Sequence, residues 1–219
     1  MMGIMRFYRT AIIGLFFPGL FFIVQQSYAE PVRAVTKATP EQGLEMVRET
    51  SRRLLESIEQ EGLDVDPNQN RLYELIDEIV FSKFDFHGIS SKILGRDWRK
   101  ATSEQKVQFI DQFKIYLVRT YATALNKYRG QKIEYLPVRT GKSTRVIKVQ
   151  TRVELMDADP VDIDYVLLLS KNGSWKVVDI LVEGISLVVT HRSSFRMELK
   201  QKGISGLIIK LKEHNQGDT

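Results

Sequence analysis

Hydrophobic residues in the first half of the chain recur with the period of an α-helix. They predict four helices, over residues 40–60, 67–82, 86–94 and 103–129. Three of the starts carry a helix-capping pattern, namely Thr39-Pro40-Glu41-Gln42, Asp66-Pro67-Asn68-Gln69 and Thr102-Ser103-Glu104-Gln105. The last helix has two adjacent apolar stripes, so we expect it to be buried on more than one side and to form the spine of the fold.

After Gly130 the hydrophobic period changes from helical to two. The alternation predicts four strands, around residues 133–135, 147–155, 161–169 and 175–181. Asn172-Gly173 is a strong signal for a tight hairpin turn between the last two. Two closing helices, about 185–201 and 204–214, meet at Gly203. Helices followed by a run of strands predict an α+β fold, with a four-stranded antiparallel sheet packed against several helices.

The first 29 residues have the organisation of a secretory signal peptide. Arg6 and Arg9 form a positive head, residues 11–24 are apolar and uncharged, and Ser27-Tyr28-Ala29 places small residues where a signal peptidase cuts. An uncleaved anchor is the weaker alternative, since roughly 20 apolar residues are needed to span a bilayer. We therefore predict cleavage after Ala29 and a single exported domain, residues 30–219.

Composition narrows the chemistry that the chain can perform. It has 219 residues, of which 43% are hydrophobic and 27% charged, and this balance is typical of a globular domain. Cysteine is absent, which excludes disulfides, a cysteine nucleophile and thiolate metal sites. His87, His191 and His214 are too far apart in sequence to form a recognisable ligand spacing. We predict no metal and no cofactor.

Two polar segments could carry chemistry but favour structural explanations. Gly141-Lys142-Ser143 resembles the end of a phosphate loop, yet Leu136 stands where that motif needs glycine, so a turn between strands is expected. Four aspartates crowd residues 157–164 and could hold a divalent cation or a sugar nucleotide. Turn formation and cross-strand pairing with Lys and Arg explain them better.

Asp179 is the acidic residue with the strongest claim to a function. By strand parity it shares a face with Trp175, Val177 and Leu181, so its carboxylate must be hydrogen-bonded, ion-paired or protonated. A general base in a pocket is one interpretation. An internal hydrogen bond that fixes the sheet to a helix is favoured, because no histidine, tyrosine or second acid stands at a convincing spacing.

Basic residues are concentrated in two segments. The net charge is +5, and residues 127–152 hold eight Lys or Arg with one acid, while residues 191–212 hold six with one acid. Because the aromatic residues fall on apolar faces, nucleic-acid binding is not expected. These basic segments could bind an anionic membrane surface or an acidic partner protein, or could simply be exposed to solvent. The sheet and the spine helix have more apolar residues than one face needs, which fits either a dry core or a ligand cavity.

Three blocks of sequence resemble a known family. They are Leu94-Gly95-x-x-Trp98 through Thr102-x-x-Gln105 to Tyr121-Ala122-x-x-Leu125-x-x-Tyr128, then Gly173-x-Trp175-Lys176-Val177-x-Asp179-Ile180-x-x-Glu183-Gly184-Ile185-Ser186-Leu187, and Phe195 with Gly203-x-x-Gly206-Leu207 and Leu211. In this order, behind an export signal, they are similar to the periplasmic phospholipid-binding proteins of the Mla pathway, the MlaC or toluene-tolerance family.

The resemblance implies a cystatin- or NTF2-like fold that encloses a cavity for lipid tails. Such proteins carry phospholipid through the periplasm between an outer-membrane lipoprotein–porin complex and an inner-membrane ABC transporter with an MCE-domain subunit, and so maintain outer-membrane lipid asymmetry. It implies no catalytic residue and no enzyme activity.

Strand parity and the spine-helix stripe then predict which residues contact the tails. These residues are Phe113, Leu117, Tyr121, Ile147, Val149, Val153, Ile163, Tyr165, Leu167, Val177, Leu181 and Ile185. Ile185 follows Glu183-Gly184, where the chain turns from sheet to helix, and is expected at the cavity mouth. Because no Lys or Arg lies at these positions, we expect exposed head groups and tolerance of several phospholipid classes.

Three alternatives remain open. A hopanoid or other apolar lipid could be the ligand of the same fold. A small NTF2-like enzyme could use Asp179 as its acid or base. A periplasmic adaptor could bind only protein through the basic surface around residues 191–212, with a closed core.

Overall fold

The α+β fold predicted from the sequence is present in the computed structural model. The structure describes residues 38–62, 70–126, 130, 132–140, 145–155 and 159–217, with the backbone alone at 122–126 and 139–140. The predicted signal peptide, the capping pattern at Asp66 and the turn at Gly141 lie outside the described residues.

Two helices begin where the capping patterns at Thr39 and Thr102 predict. The helix bounds are α1 Pro40–Glu61, α2 Asn70–Leu75, α3 Phe86–Leu94, α4 Arg96–Lys100, α5 Ser103–Asn126 and α6 Leu187–Gln216. At α1 the Gln42 N–H donates to Thr39 Oγ1, and the Thr39 N–H donates back to the Gln42 side chain at 3.0 Å. Thr102 and Gln105 exchange the same pair of bonds before α5. Both capping boxes are therefore confirmed.

Two helical features differ from the expectation, and a third agrees with it. The predicted 67–82 helix is described as α2 followed by a π-helical turn, Ile76–Val80, and a 3₁₀ turn, Phe81–Lys83. The short helix α4 was not anticipated; it follows Gly95, whose φ of 59° ends α3, and it buries Trp98. The two closing helices are confirmed: they are named together as α6, and Gly203, with a φ of 65°, separates them by a kink at the predicted boundary.

The sheet contains the predicted antiparallel meander and two short additional strands. Its strands are β1 Ile133–Tyr135, β2 Arg139–Thr140, β3 Val146–Val153, β4 Val161–Leu169, β5 Trp175–Val182 and β6 Ile185–Ser186. The order is β1-β3-β4-β5-β6, and β2 also pairs with β3. The charged face carries Lys148–Asp164 and Arg152–Asp162 ion pairs across β3 and β4, as the cross-strand interpretation of these acids predicts.

A bulge in β5 changes which of its side chains face the helices. Val166 pairs with Asp179 but its neighbour Leu167 pairs with Val177, so Val178 is an extra residue in β5. Beyond the bulge, Ile180 and Val182 lie opposite Tyr165 and Ile163 of β4. A one-residue insertion moves the side chain of every later residue in the strand to the opposite face of the sheet.

The hydrophobic core consists of two clusters of buried side chains. One is made largely by α2, α3, α5 and α6, and the other lies between α1 and the β3–β4–β5 part of the sheet. Gly43 of α1 allows the second cluster to close, because a Cβ at this position would overlap Ile147 Cδ1. The Trp175 indole N–H also donates to the Thr39 carbonyl at 2.9 Å, which fixes the start of α1 against the sheet.

Candidate apolar ligand site

A large cavity lies between the sheet and the helices, in the part of the chain that the structure describes. Its volume is about 640 Å³, which is within the range of small-molecule binding cavities. One wall is the helix-facing side of β3, β4 and β5, and the others come from α1, the π-helical turn, α3, α5 and the start of α6. The lining is apolar except for a few polar groups described below.

Seven of the predicted positions line this cavity. They are Phe113, Leu117 and Tyr121 of α5, with Val153, Ile163, Tyr165 and Val177 of the sheet. Their contact with a lipid tail remains a prediction.

Three other predicted positions lie on the same sheet face but not at the cavity. Ile147, Val149 and Leu167 are at most 2% exposed and belong to the core cluster beneath α1. The close approach of α1 at Gly43 covers this end of the sheet with helix. Strand parity identifies the face correctly, but it carries no information about which half of that face a helix closes.

Leu181 and Ile185 are also outside the cavity wall. Leu181 pairs with Asp164, because the bulge at Val178 reverses the parity on which its placement depended. Ile185 is 64% exposed and is the cross-strand partner of Val182, which does line the cavity. Since cross-strand partners share a face, Ile185 projects from the same face of the sheet as Val182, and its place at the cavity mouth remains a prediction.

Several wall residues were not anticipated. Ile180 and Val182 enter the wall because of the bulge, and Val161 and Leu155 extend it toward the rim. The helical wall includes Met46, Leu54, Ile76, Val80, Ile89 and Ile93. The two-residue turn at Glu183-Gly184 is the one sequence signal that could have identified Val182 and Ile185 as partners.

Hydroxyl and phenol groups also line the cavity. The Thr50 hydroxyl donates to the Met46 carbonyl at 2.6 Å, and Ser51 hydrogen-bonds the phenol of Tyr165. Burial raises the pKa of Tyr165 to about 12 and also raises the pKa of Tyr121. These phenols therefore stay neutral at physiological pH.

The Asp179 carboxylate is occupied by structural hydrogen bonds. Its Oδ2 accepts from the Ser186 hydroxyl at 2.6 Å, and its Oδ1 accepts from the backbone N–H groups of Ile180 and Val188 at 2.9 and 3.2 Å. Ser186 is itself the N-cap of α6. The internal role favoured from the sequence, fixing the sheet to a helix, is confirmed by these bonds.

Two further polar residues line the cavity. Lys83, from the 3₁₀ turn, also lines the cavity, and it is a basic residue outside the positions predicted from the sequence. His191 of α6 is 4% exposed, and its Nε2 is buried with no hydrogen-bonding partner in the described residues. Burial lowers the pKa of His191, so the imidazole is neutral near pH 7.

The described part of the chain has neither a cluster of metal ligands nor a membrane-spanning helix. No group of three His, Asp or Glu side chains there could hold a metal ion. No helix among those residues is long and apolar enough to cross a membrane.

The chain is similar to known proteins, two of which are named for phospholipid binding or transport. Residues 48–213 match the family profile described as MlaC protein. The chain is 28% identical to toluene tolerance protein ttg2D of Pseudomonas putida over 80% of each chain. It is also 28% identical to the intermembrane phospholipid transport system binding protein MlaC of Haemophilus influenzae, over 70% of this chain and 72% of the relative.

A solved structure shares the fold. It is a phospholipid-binding protein from Ralstonia solanacearum in complex with a phospholipid, with a TM-score of 0.72 and 31% identity. The match covers 80% of this chain and 97% of the other.

Proposed function

The chain belongs to the MlaC family, and we propose that it is a periplasmic phospholipid-binding protein that holds acyl tails in the cavity between its sheet and helices. The observation that carries this proposal is the apolar cavity of about 640 Å³, in a protein whose relatives are named for phospholipid binding or transport. The proposal includes export through the leader at residues 1–29.

A carrier of this kind has a clear energetic purpose. Two acyl chains contain roughly 30 methylene groups, and each costs about 0.8 kcal/mol to expose to water. Free diffusion of a phospholipid between two membranes therefore costs on the order of 20 kcal/mol. Apolar side chains such as Ile163, Ile180 and Ile93 offer the tails a replacement for the bilayer interior.

We further propose that the loaded protein shuttles between an outer-membrane lipoprotein–porin complex and an inner-membrane ABC transporter with an MCE-domain subunit. This part rests on the family and on the exposure of Ile185 beside the wall residue Val182, where we propose that the cavity opens and the lipid enters and leaves. Its consequence would be maintenance of lipid asymmetry in the outer membrane.

We expect head groups to stay in water. Lys83 offers one positive charge, which favours any phosphate, but one lysine cannot distinguish one phospholipid class from another. The protein should therefore accept several classes with matched acyl chains. A strong preference for one head group would contradict this.

Native mass spectrometry of the mature protein, purified without detergent, tests the binding function. Extraction and identification of the bound lipid should give phospholipid in near-stoichiometric amounts. If the bound lipid is a hopanoid, the cavity is still a lipid-binding site, but its ligand is not a phospholipid. An apo mass, together with failure to load from liposomes, would overturn the carrier function and favour a protein-binding adaptor.

A further inference from the structure

His191 lines the cavity, and its imidazole has a nitrogen, Nε2, without a hydrogen-bonding partner in the described residues. No hydrogen bond to it is found in the described residues, and its Nε2 is fully buried. Its neighbours are aromatic rings: Phe113, Tyr116 and Phe195 lie with centroids 5.3–5.8 Å away. Buried polar groups are nearly always hydrogen-bonded, so an unpartnered one in a ligand cavity points to a partner on the ligand.

The position of His191 along α6 indicates which part of a ligand it meets. Ile185 and Val189 at the start of this segment are 64% and 61% exposed, whereas Phe113 and Phe195 beside the imidazole are at most 6% exposed. His191 is four residues beyond the wall residue Leu187, or about 6 Å along the helix axis. With the rim placed at Ile185, as proposed above, His191 lies about one helical turn into the cavity wall.

An acyl lipid has a polar group at this depth. If its charged phosphate stays in water at the rim, its ester linkages enter the top of the apolar cavity ahead of the tails. An ester carbonyl taken from water into an apolar site is unfavourable unless it accepts a hydrogen bond. A neutral imidazole supplies one N–H donor without placing a charge inside the cavity.

We propose that the His191 imidazole N–H donates a hydrogen bond to an ester carbonyl oxygen of the bound lipid and so sets the depth at which the lipid sits. This inference rests on the proposed function. It goes beyond it by assigning a polar contact and a preference for ester-linked over ether-linked lipids, because an ether analogue with the same chains lacks the carbonyl.

Competition between two matched lipids tests the contact. Dioleoyl phosphatidylcholine and its dioleyl ether analogue are mixed in liposomes, and the ratio of the two in the loaded protein is read by mass spectrometry. We expect wild type to be enriched severalfold in the ester. In His191→Phe, which keeps a ring of similar shape but has no donor, the ratio should fall to about one.

Two controls separate this role from a structural one. His191→Gln retains an N–H donor and should retain part of the preference. Met197→Phe changes an exposed residue, 59% exposed on the same helix, and should leave the ratio as in wild type. The infrared band of a ¹³C-labelled ester carbonyl should lie lower in wild type than in His191→Phe, as for a hydrogen-bonded carbonyl.

The outcomes are distinct. A wild-type ratio of one, as expected if water serves the imidazole, overturns the contact while leaving the carrier function intact. The same ester preference in wild type and His191→Phe also overturns it. Failure of wild type to load either lipid overturns the proposed function itself. If His191→Phe does not fold, the wild-type ester-to-ether ratio and the carbonyl infrared band of His191→Gln still decide whether the imidazole contacts the ester.

Discussion

The Ser186 hydroxyl donates to the Asp179 carboxylate at 2.6 Å and accepts from the Val189 backbone N–H at 3.1 Å. One pair of side chains thus joins the end of β5 to the first turn of α6. The same helix carries His191 into the cavity wall, so this junction fixes the wall relative to the sheet.

Replacing Asp179 should therefore affect stability rather than chemistry. Asp179→Asn keeps one acceptor but loses the charge that favours a helix N-terminus, and we expect a loss of about 1 kcal/mol in the free energy of unfolding. Urea denaturation measures it. Lipid loading should persist in the folded fraction. Loss of a catalytic turnover with stability unchanged would support the enzyme alternative instead.

A charge at the cavity rim should reduce lipid loading without unfolding the protein. Ile185 is 64% exposed, so Ile185→Glu costs little packing, but it places a carboxylate where the tails must pass. We expect bound lipid to fall severalfold, measured by native mass spectrometry. Ile209→Glu is the matched control, since Ile209 is 56% exposed and does not line the cavity. Full lipid loading of a folded Ile185→Glu protein would show that Ile185 does not lie at the cavity rim.

The two ends of the helix-facing sheet surface should respond oppositely to mutation. Leu167→Ala removes a fully buried side chain beneath α1 and should cost about 2–5 kcal/mol of stability, with the amount of lipid per folded molecule unchanged. Ile163→Trp adds volume to the cavity wall and should lower bound lipid at a smaller cost in stability.

Urea unfolding paired with lipid extraction from each variant separates the two effects. Lipid loss in folded Leu167→Ala, with full loading of Ile163→Trp, would contradict this division of the sheet.

The stability of the lipid-free protein should depend on His191 at mildly acidic pH. Burial lowers the folded-state pKa of His191 below its ordinary value of 6.5. Just below pH 6.5 the unfolded chain therefore binds a proton at His191 that the folded protein does not bind. The contribution of this residue to stability is therefore intact above pH 6.5. It should fall as the pH drops below 6.5 toward the folded-state pKa.

Thermal unfolding of wild type and His191→Phe at a series of pH values measures this dependence. The melting temperature of wild type should decline more steeply between pH 6.5 and 5 than that of the variant. Parallel curves for the two proteins would show that His191 does not titrate in this way.

Much of the sheet could be predicted because apolar and polar residues alternate along most of β3 and the first half of β4. Val153, Ile163 and Tyr165 reach the cavity for this reason. Leu181 does not, because the bulge at Val178 depends on local pairing between β4 and β5 and leaves no signature in the alternation. Ile147 has the correct parity but is covered by α1, and that contact depends on Gly43, 104 residues earlier in the chain.

The helical wall was harder to predict than the sheet. An apolar stripe on a helix indicates that this face is buried, but it does not indicate whether the face contacts other side chains or an open cavity. Ile76 and Val80 reach the wall from a π-helical turn, which a regular helical period does not anticipate. Lys83 follows in a 3₁₀ turn, so an irregular segment brings the unexpected cation to the cavity.

Photo-crosslinking with a phospholipid that carries a diazirine near the end of one acyl chain tests the central claim most directly. The protein is loaded from liposomes, irradiated and digested, and the labelled residues are identified by tandem mass spectrometry. We predict labels on wall residues of both layers, such as Ile163 and Ile180 of the sheet and Ile93 of α3. Labels confined to exposed residues such as Met197 and Ile209, with none in the cavity, would contradict it.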